Sequence, residues 1–367
     1  MSGVDYVFVA VVGARFLLPL LIPRYPLPAV VGCLVLDGID QSVFQWFGYD
    51  PPGYQSYDKA MDVYYLAIAY LATLRNWAAL PAYAVGRFLY FYRLVGVVVF
   101  ELTQLRAMLL LFPNTFEYFF IGYEAWRTRW QTVRITLRHW VIAAALIWVF
   151  IKLPQEYWLH VAQLDVTDTL AEYDWAWPLL ISLILLLVAI LWFVVRPRLP
   201  DPDWGLRLAA DPLPKGIDTA AEQAAWRAAS GAVISWATFE KVMLLGLISV
   251  IYAQTLPGIH ASNLQLFVGV GGFVVLNAAI TLAVARRDWS IESAGVAFAA
   301  RLLVSVGIVV VARLFVGTDT SAWNTVFFLG LISLITTLHD RWQPVLDYRR
   351  RMAAPPTSAV PAGEAGA

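Results

Sequence analysis

Trp175 to Val195 reads WAWPLLISLILLLVAILWFVV, an unbroken run with no ionisable side chain. At 1.5 Å per residue a helix of that length covers about 30 Å, the thickness of a bilayer's hydrocarbon core. A surface helix of a water-soluble domain carries a polar stripe, whereas this run is apolar on every face. It therefore predicts a helix that crosses a membrane, and it sets the scale on which the rest of the chain is read.

The same length criterion, moved outward along the sequence, picks out further segments: Asp5 to Ile22, Leu27 to Phe47, Asp58 to Arg75, Leu80 to Thr103, Arg106 to Trp126, Leu137 to Leu153, Ala232 to Thr255, Leu264 to Ala285, Ala294 to Val316 and Trp323 to Leu338. The expected fold class is an all-α polytopic transmembrane helix bundle of about eleven spans, or ten if Arg106 to Trp126 does not cross. That segment contains Pro113-Asn114-Thr115 and Glu117, which admit either a broken span or a surface helix after a long fourth span. Pro frees a carbonyl in a spanning helix, and Asn114 with Glu117 three residues later has the spacing of a capping box.

Composition agrees. Of 367 residues 60% are hydrophobic and only 14% charged, against about 25% in a soluble domain. The 26 basic and 26 acidic residues leave no net field to attract nucleic acid, so membrane lipid is the expected partner. A single cysteine, Cys33, excludes an intrachain disulfide and a cysteine-based metal cluster. No basic region precedes the first apolar segment, which is read as a retained span and not a cleaved leader.

Loop charge gives the orientation. Arg127 to Arg138 holds four arginines and no acid. Arg196 to Arg227 holds Arg196, Arg198, Arg207, Lys215 and Arg227, and Arg286-Arg287 and Arg349-Arg350-Arg351 follow later, while Pro154 to Asp174 carries five acids and no Lys or Arg. Cytoplasmic loops collect Lys and Arg, so the C-terminus is expected in the cytoplasm of a bacterial-type cell membrane. Eleven spans put the N-terminus outside and Arg24 and Arg75 inside; ten invert those assignments. The expected organisation is a polar-cored bundle over 1–130 and two spans flanking an acidic external loop over 131–195. A Pro-rich cytoplasmic loop over 196–230, scaffold helices over 231–345 and a disordered tail over 346–367 follow. Pro154 to His160 is expected to lie on the membrane surface, and Gly269-Val-Gly-Gly272 to let helices pack closely.

Charges at bilayer depth cost about 3 kcal/mol or more each, so they mark either pairing or function. Polar side chains concentrate in the first five segments: Arg15, Asp37, Asp40, Gln41, Gln45, Asp62, Arg87, Arg93, Glu101 and Glu117. Asp37, Asp40 and Gln41 are spaced to share one helix face, as are Asp58 and Asp62 on the next helix. A turn through Asp50-Pro-Pro-Gly53 brings the two acidic faces to the same membrane side. Helix depths match Asp37 with Arg87 and Asp40 with Arg93 as ion pairs. Glu240 and Lys241 point about 100° apart and need separate partners, with Arg301 available to Glu240.

Three readings follow. The leading one is a carrier or ion- or proton-coupled transporter, with Asp37, Asp40, Gln41, Asp62, Arg87, Arg93 and Glu117 as substrate- or ion-binding residues. The second is an enzyme acting on lipid-linked phosphate, with Asp37, Asp40, Asp58 and Asp62 holding Mg²⁺, a cation that favours oxygen ligands. The third is an accessory subunit whose charges are internal glue. Asp37-Gly38 followed by Asp58-x-x-x-Asp62 resembles part of the CDP-alcohol phosphotransferase signature, which implies the second reading. The chain departs from it at Leu34, where the signature has its first aspartate, at Gln41-Ser42 in place of Ala-Arg, and in a longer spacing to Asp58. Asp37-x-x-Asp40 is also similar to the aspartate motifs of membrane prenyltransferases. Neither resemblance is taken as membership. No Walker motif, twin-histidine helix or Ser–His–Asp constellation stands in the sequence.

Overall fold

The computed structural model describes residues 3–48, 54–158, 169–170, 172–255, 263–286, 295–303 and 322–353. Every regular element among them is helical. Five helices are long and apolar enough to cross a membrane: Pro26–Trp46, Leu80–Thr103, Leu137–Glu156, Ala176–Arg198 and Trp236–Thr255. Two shorter apolar helices, Tyr6–Leu21 and Phe267–Ala283, accompany them.

The opening stretch behaves as read. None of the apolar window within Ala176–Arg198 is buried against protein, and Leu183, Leu185, Trp192 and Phe193 are all more than half exposed. A contiguous apolar surface of that size is not left to water, and lipid is the medium that covers it.

The chain forms two compact units: Met1–Asp58 with Pro81–Ala210, and Lys59–Leu80 with Asp211–Ala367. The division is discontinuous, so the third helix mostly belongs with the C-terminal half. The boundary at 210/211 falls within the Pro-rich loop.

In the first unit, α1 (Gly3–Leu17) runs into a 3₁₀ turn, Leu18–Leu21, and returns as α2 (Pro26–Trp46). Phe8 against Phe44, with ring centroids 6.0 Å apart, fixes the two helices side by side. α3 (Tyr54–Asn76) contributes its first turn to this unit, and α4 (Leu80–Thr103) nearly all its length. Arg106 to Trp126 is not one continuous helix. It is α5 (Ala107–Leu111) and α6 (Thr115–Arg127), separated at Pro113. Phe116, Phe119, Phe120 and Tyr123 of α6 are buried, so this face of α6 packs against protein. Gly96 of α4 lets the break approach: a Cβ there would fall 2.0 Å from the Phe112 Cβ.

α7 (Leu137–Ile147) continues through a π-helical turn, Trp148–Lys152, into α8 (Leu153–Glu156). Pro154 cannot donate to the helix ladder and crowds the preceding turn, and the wider π turn accommodates it. The same device precedes Pro197, where α9 (Ala176–Ala189) ends in the π turn Ile190–Val195. The expected surface helix at Pro154 to His160 is corrected accordingly: Lys152 and Glu156 belong to the long helix and are buried. Its end, His160, lies outside the described residues. Residues 200–210 strap the basic end of the unit. Asp203 and Arg207 amides donate to the Arg129 and Thr128 carbonyls at 3.0 Å each, and the Ala210 amide to the Arg24 carbonyl at 2.8 Å.

The second unit is built around α3. From Ala60 to Leu74 almost every side chain is buried, including Tyr64, Tyr70 and Ile68 at 0% exposure. Its polar residues keep it outside the apolar candidates, yet a helix clad in protein tolerates them. α10 (Ala220–Ser230) starts with a full capping box between Thr219 and Glu222. α11 (Trp236–Thr255), α12 (Asn263–Arg286), a helical stretch at 295–303 and α13 (Ala322–Ala353) complete the unit.

Two expectations change here. α13 carries on to Ala353 with Leu346 fully buried, so 346–353 is helix and not tail. The close approach of α11 and α12 occurs at Gly246, where a Cβ would lie 2.5 Å from the Phe267 ring. Within Gly269-Val-Gly-Gly272, Gly271 also meets α11, its Cβ position 3.5 Å from Val242, while Gly269 and Gly272 have nothing within 4 Å of that position among the described residues.

Candidate functional site

Arg15, in the last turn of α1, gathers the acids that the sequence singles out. Its Nη1 donates to Asp40 Oδ2 at 2.5 Å and to Asp58 Oδ1 at 2.7 Å, and its Nη2 to Asp37 Oδ1. α1 and α2 form a hairpin, so Arg15 approaches α2 from the side. The long side chain makes up the difference in depth between Arg15 and the acids beyond the turn. Asp37 and Asp40 share the inner face of α2 by their i, i+3 spacing. Gln41, expected on that face, is exposed. Asp58 arrives on the first turn of α3, and Asp62 stands one turn further along the same helix.

The burial is graded. Asp40 is fully enclosed and the Arg15 side chain 5% exposed, whereas Asp37 and Asp58 are each 34% exposed. A guanidinium carries five N–H donors and one positive charge. Three carboxylates on it leave excess negative charge on the two acids that reach solvent. The cation facing Asp37, Asp40 and Asp58 is thus a side chain.

The two arginines expected to pair with these acids have other contacts. Arg93 Nη1 donates to the Phe112 carbonyl at 2.9 Å, and Tyr92 to the Leu111 carbonyl at 2.9 Å. Both carbonyls lie where Pro113 interrupts the ladder, so two α4 side chains satisfy groups the break releases. The Arg87 guanidinium lies over the Tyr83 ring, 6.0 Å from its centroid.

At the break itself the expected capping box does not form. The Asn114 side chain makes no cap bond, and its Nδ2 donates to Glu117 Oε2 at 2.9 Å. The Asn114 amide reaches Glu156 Oε1 at 3.4 Å, and Glu156 pairs with Lys152 at 3.5 Å. Lys152 also donates to Gln155 and lies 4.7 Å from the Tyr118 ring centroid. Lys152 and Glu156 were hidden in the sequence because proline at 154 reads as the end of a span.

In the second unit Glu240 and Lys241 take separate partners, as their spacing requires. Tyr70 donates to Glu240, and Lys241 donates to Asp340 at 2.6 Å. Arg301 pairs with Asp340 at 2.8 Å, which corrects its expected pairing with Glu240. Asn277 bonds the same carboxylate at 3.1 Å. Pro344 leaves the Asp340 carbonyl without its helix partner, and Arg227 Nη2 supplies one at 2.6 Å. His339 and Asp340 stand one and two residues past the last apolar segment, where a helix end in contact with headgroups is the simplest reading of a charge. Only their position against α11 exposes them as a centre.

No protein-family model matches the chain. No curated protein and no solved structure matches it either. The functional reading therefore rests on the geometry above.

Proposed function

We propose that the protein is a multi-pass carrier of the cell membrane in which Asp37 and Asp58 exchange a proton or small cation while Arg15 and Asp40 hold them in place. The observation that carries this reading is the graded burial of one Arg15-centred cluster. A guanidinium with one fully enclosed carboxylate forms a fixed pair. Two further carboxylates, each a third exposed, retain negative charge that a cation or proton neutralises. A cluster serving only as internal glue has no need of uncompensated charge at an accessible edge. The guanidinium already at the centre favours this reading over a Mg²⁺ enzyme.

The topology of the proposal has eleven crossings, with the N-terminus outside and the C-terminus in the cytoplasm. It is supported by bonds among the arginine-rich segments. The Arg24 carbonyl receives the Ala210 amide, and residues 128–129 receive those of Asp203 and Arg207. Residues 24 and 128 then share a face, so an even number of crossings separates them: α2, α3, α4 and the broken α5–α6 segment. In the second unit Arg349 donates to the Leu74 and Trp77 carbonyls at 3.5 and 3.3 Å, and Tyr348 to the Lys215 carbonyl at 3.1 Å. Basic segments meeting one another is the pattern of a cytoplasmic face.

The test uses proteoliposomes containing the full chain and a pH-sensitive dye, challenged with a panel of ionic and neutral solutes. A solute-evoked proton or cation movement is expected that Asp37→Asn abolishes without lowering the yield of folded protein. If every evoked flux survives both Asp37→Asn and Asp58→Asn, the cluster is not the transport site.

A further inference from the structure

A cavity of about 360 Å³ opens in the second unit between the end of α10, the start of α11 and the second halves of α12 and α13. Its volume falls at the lower end of small-molecule sites. Four cationic side chains line it, Arg227, Lys241, Arg350 and Arg351, against two carboxylates, Asp340 and Asp347. Asp340 is already neutralised by Lys241 and by Arg301 behind it, and Asp347 pairs with Arg350 at 3.8 Å, which leaves Arg227 and Arg351 in excess. The wall is therefore positive on balance. The N-terminus of α11 adds to this. Ser235 Oγ takes the Thr238 amide at 3.1 Å, and Trp236 and Ala237, which precede it, line the space.

One side chain here is not satisfied by the protein. His339 is 2% exposed and lines the cavity, yet neither ring nitrogen has a hydrogen-bond partner among the described residues. Oε1 of Gln343, one turn further on α13, is likewise unpartnered, while its Nε2 donates to Asp347 at 3.2 Å. A buried polar group left unmade costs about 1–3 kcal/mol, so an unpaired imidazole facing an open space marks a place for a ligand. Burial and the neighbouring Lys241 push the His339 ring down to about 3, with Asp340 opposing. The ring is thus a neutral donor and acceptor, suited to a polar oxygen.

We propose that this cavity binds a phosphate group, of a soluble phosphorylated compound or of an anionic lipid. In the bound state Arg350, Arg351 and the α11 N-terminus face the oxyanion and the His339 ring donates to one of its oxygens. A tetrahedral dianion uses more of these donors at once than a carboxylate does, and an arginine fork matches its geometry. The site is separate from the Arg15 cluster and does not depend on that cluster's role.

The experiment is thermal unfolding of the full chain in nanodiscs. One arm titrates inorganic phosphate, with acetate and chloride at matched ionic strength, in neutral phosphatidylcholine; the other replaces the lipid with phosphatidylglycerol. Phosphate is expected to raise the unfolding temperature saturably where chloride and acetate do not. If the stabilisation comes from phosphatidylglycerol alone, the bound phosphate is a lipid headgroup. In either arm His339→Leu weakens the response at least tenfold while leaving the unliganded protein as stable or more so, because it removes an unpaired buried polar group. Arg351→Gln, at an exposed position, serves as a second variant whose folding is not at issue and is expected to lower affinity about tenfold. The proposal fails if neither phosphate nor phosphatidylglycerol stabilises the protein beyond chloride. It also fails if acetate does as well as phosphate, or if both variants respond like the unmodified chain.

Discussion

Replacing Arg15 by glutamine is the perturbation that the first unit should resist least. Asp40 is fully enclosed and accepts from Arg15 at 2.5 Å, so the substitution takes the guanidinium away from an enclosed carboxylate. Removing one partner of a buried pair costs about 3–5 kcal/mol. For a domain of this size each kcal/mol moves the unfolding midpoint by about 2–4 °C, which predicts a fall of roughly 6–20 °C. Asp40→Asn added to Arg15→Gln removes the enclosed charge and should recover a substantial part of the loss, with a coupling of about 1–3 kcal/mol. Asp37 and Asp58 bond the same guanidinium, but each is a third exposed and screened. Asp37→Asn and Asp58→Asn should therefore cost about 1 kcal/mol or less. The assay is thermal or denaturant unfolding of the purified protein, run as a double-mutant cycle. Equal losses for Asp40→Asn and Asp37→Asn, or strictly additive losses for Arg15 and Asp40, would refute the graded-burial reasoning and with it the division into a fixed pair and an exchanging pair.

Three further outcomes follow from the second unit. Gly246→Ala places a methyl 2.5 Å from the Phe267 ring and should cost about 1–3 kcal/mol, whereas Gly269→Ala, with open space around it, should stabilise α12 by up to about 1 kcal/mol. Comparative unfolding of the two variants checks the opposite signs. Tyr70→Phe leaves buried Glu240 without its hydroxyl donor and should lower stability by about 1–3 kcal/mol in the same assay, with no effect on the phosphate response. The Glu222 carboxyl is held below its ordinary range chiefly by the Thr219 backbone amide, then by Asp218 and the Thr219 hydroxyl. A depressed acid stabilises the fold above its unfolded range and loses that contribution as pH falls through the folded value. Exchange protection of amides 221–224, corrected for intrinsic rate, should therefore drop as pH falls through that depressed range, and Glu222→Gln should abolish that dependence.

The membrane character was legible because it depends on a sum over many residues, which no single contact reverses. Trp175 to Val195 has no face that water tolerates, and the structure leaves it uncovered by protein. Helix limits were legible where apolar runs end in turns, as at Leu80–Thr103, and failed where proline was read as a stop. At Pro154 the backbone widens into a π turn and carries on, a local solution that periodicity does not encode. The acids of the first unit were found by cost alone, since three carboxylates at depth need a reason. Their partner was not. Depth arithmetic treats helices as parallel rods and matched Asp37 and Asp40 with α4. The arginine that reaches them comes from α1, whose register to α2 is set by the 3₁₀ turn and by Phe8 against Phe44.

The second unit shows why a count of charges per segment misleads about where chemistry lies. The sequence concentrates its polar residues in the first five segments, which made the C-terminal half look like scaffold. Yet α3, counted with the N-terminal half, is buried at the centre of the C-terminal unit and carries Tyr70 to Glu240. The residues that make the Asp340 centre come one each from segments that look unremarkable alone: Arg227 from a loop helix, Lys241 from a span, Arg301 from a short helical stretch, and Asp340 beyond the last apolar window. A single charge in a helix is cheap to explain as a headgroup contact, so each passes unnoticed. Their convergence is costly to explain that way, because Asp340 receives two cations and an amide together, and the cavity beside it keeps an imidazole without a partner. What separates a site from a solvated end is whether the fold leaves a polar group unsatisfied after its own bonds are made. By that criterion His339, which no sequence pattern selected, is the residue in the second unit whose substitution carries the most information.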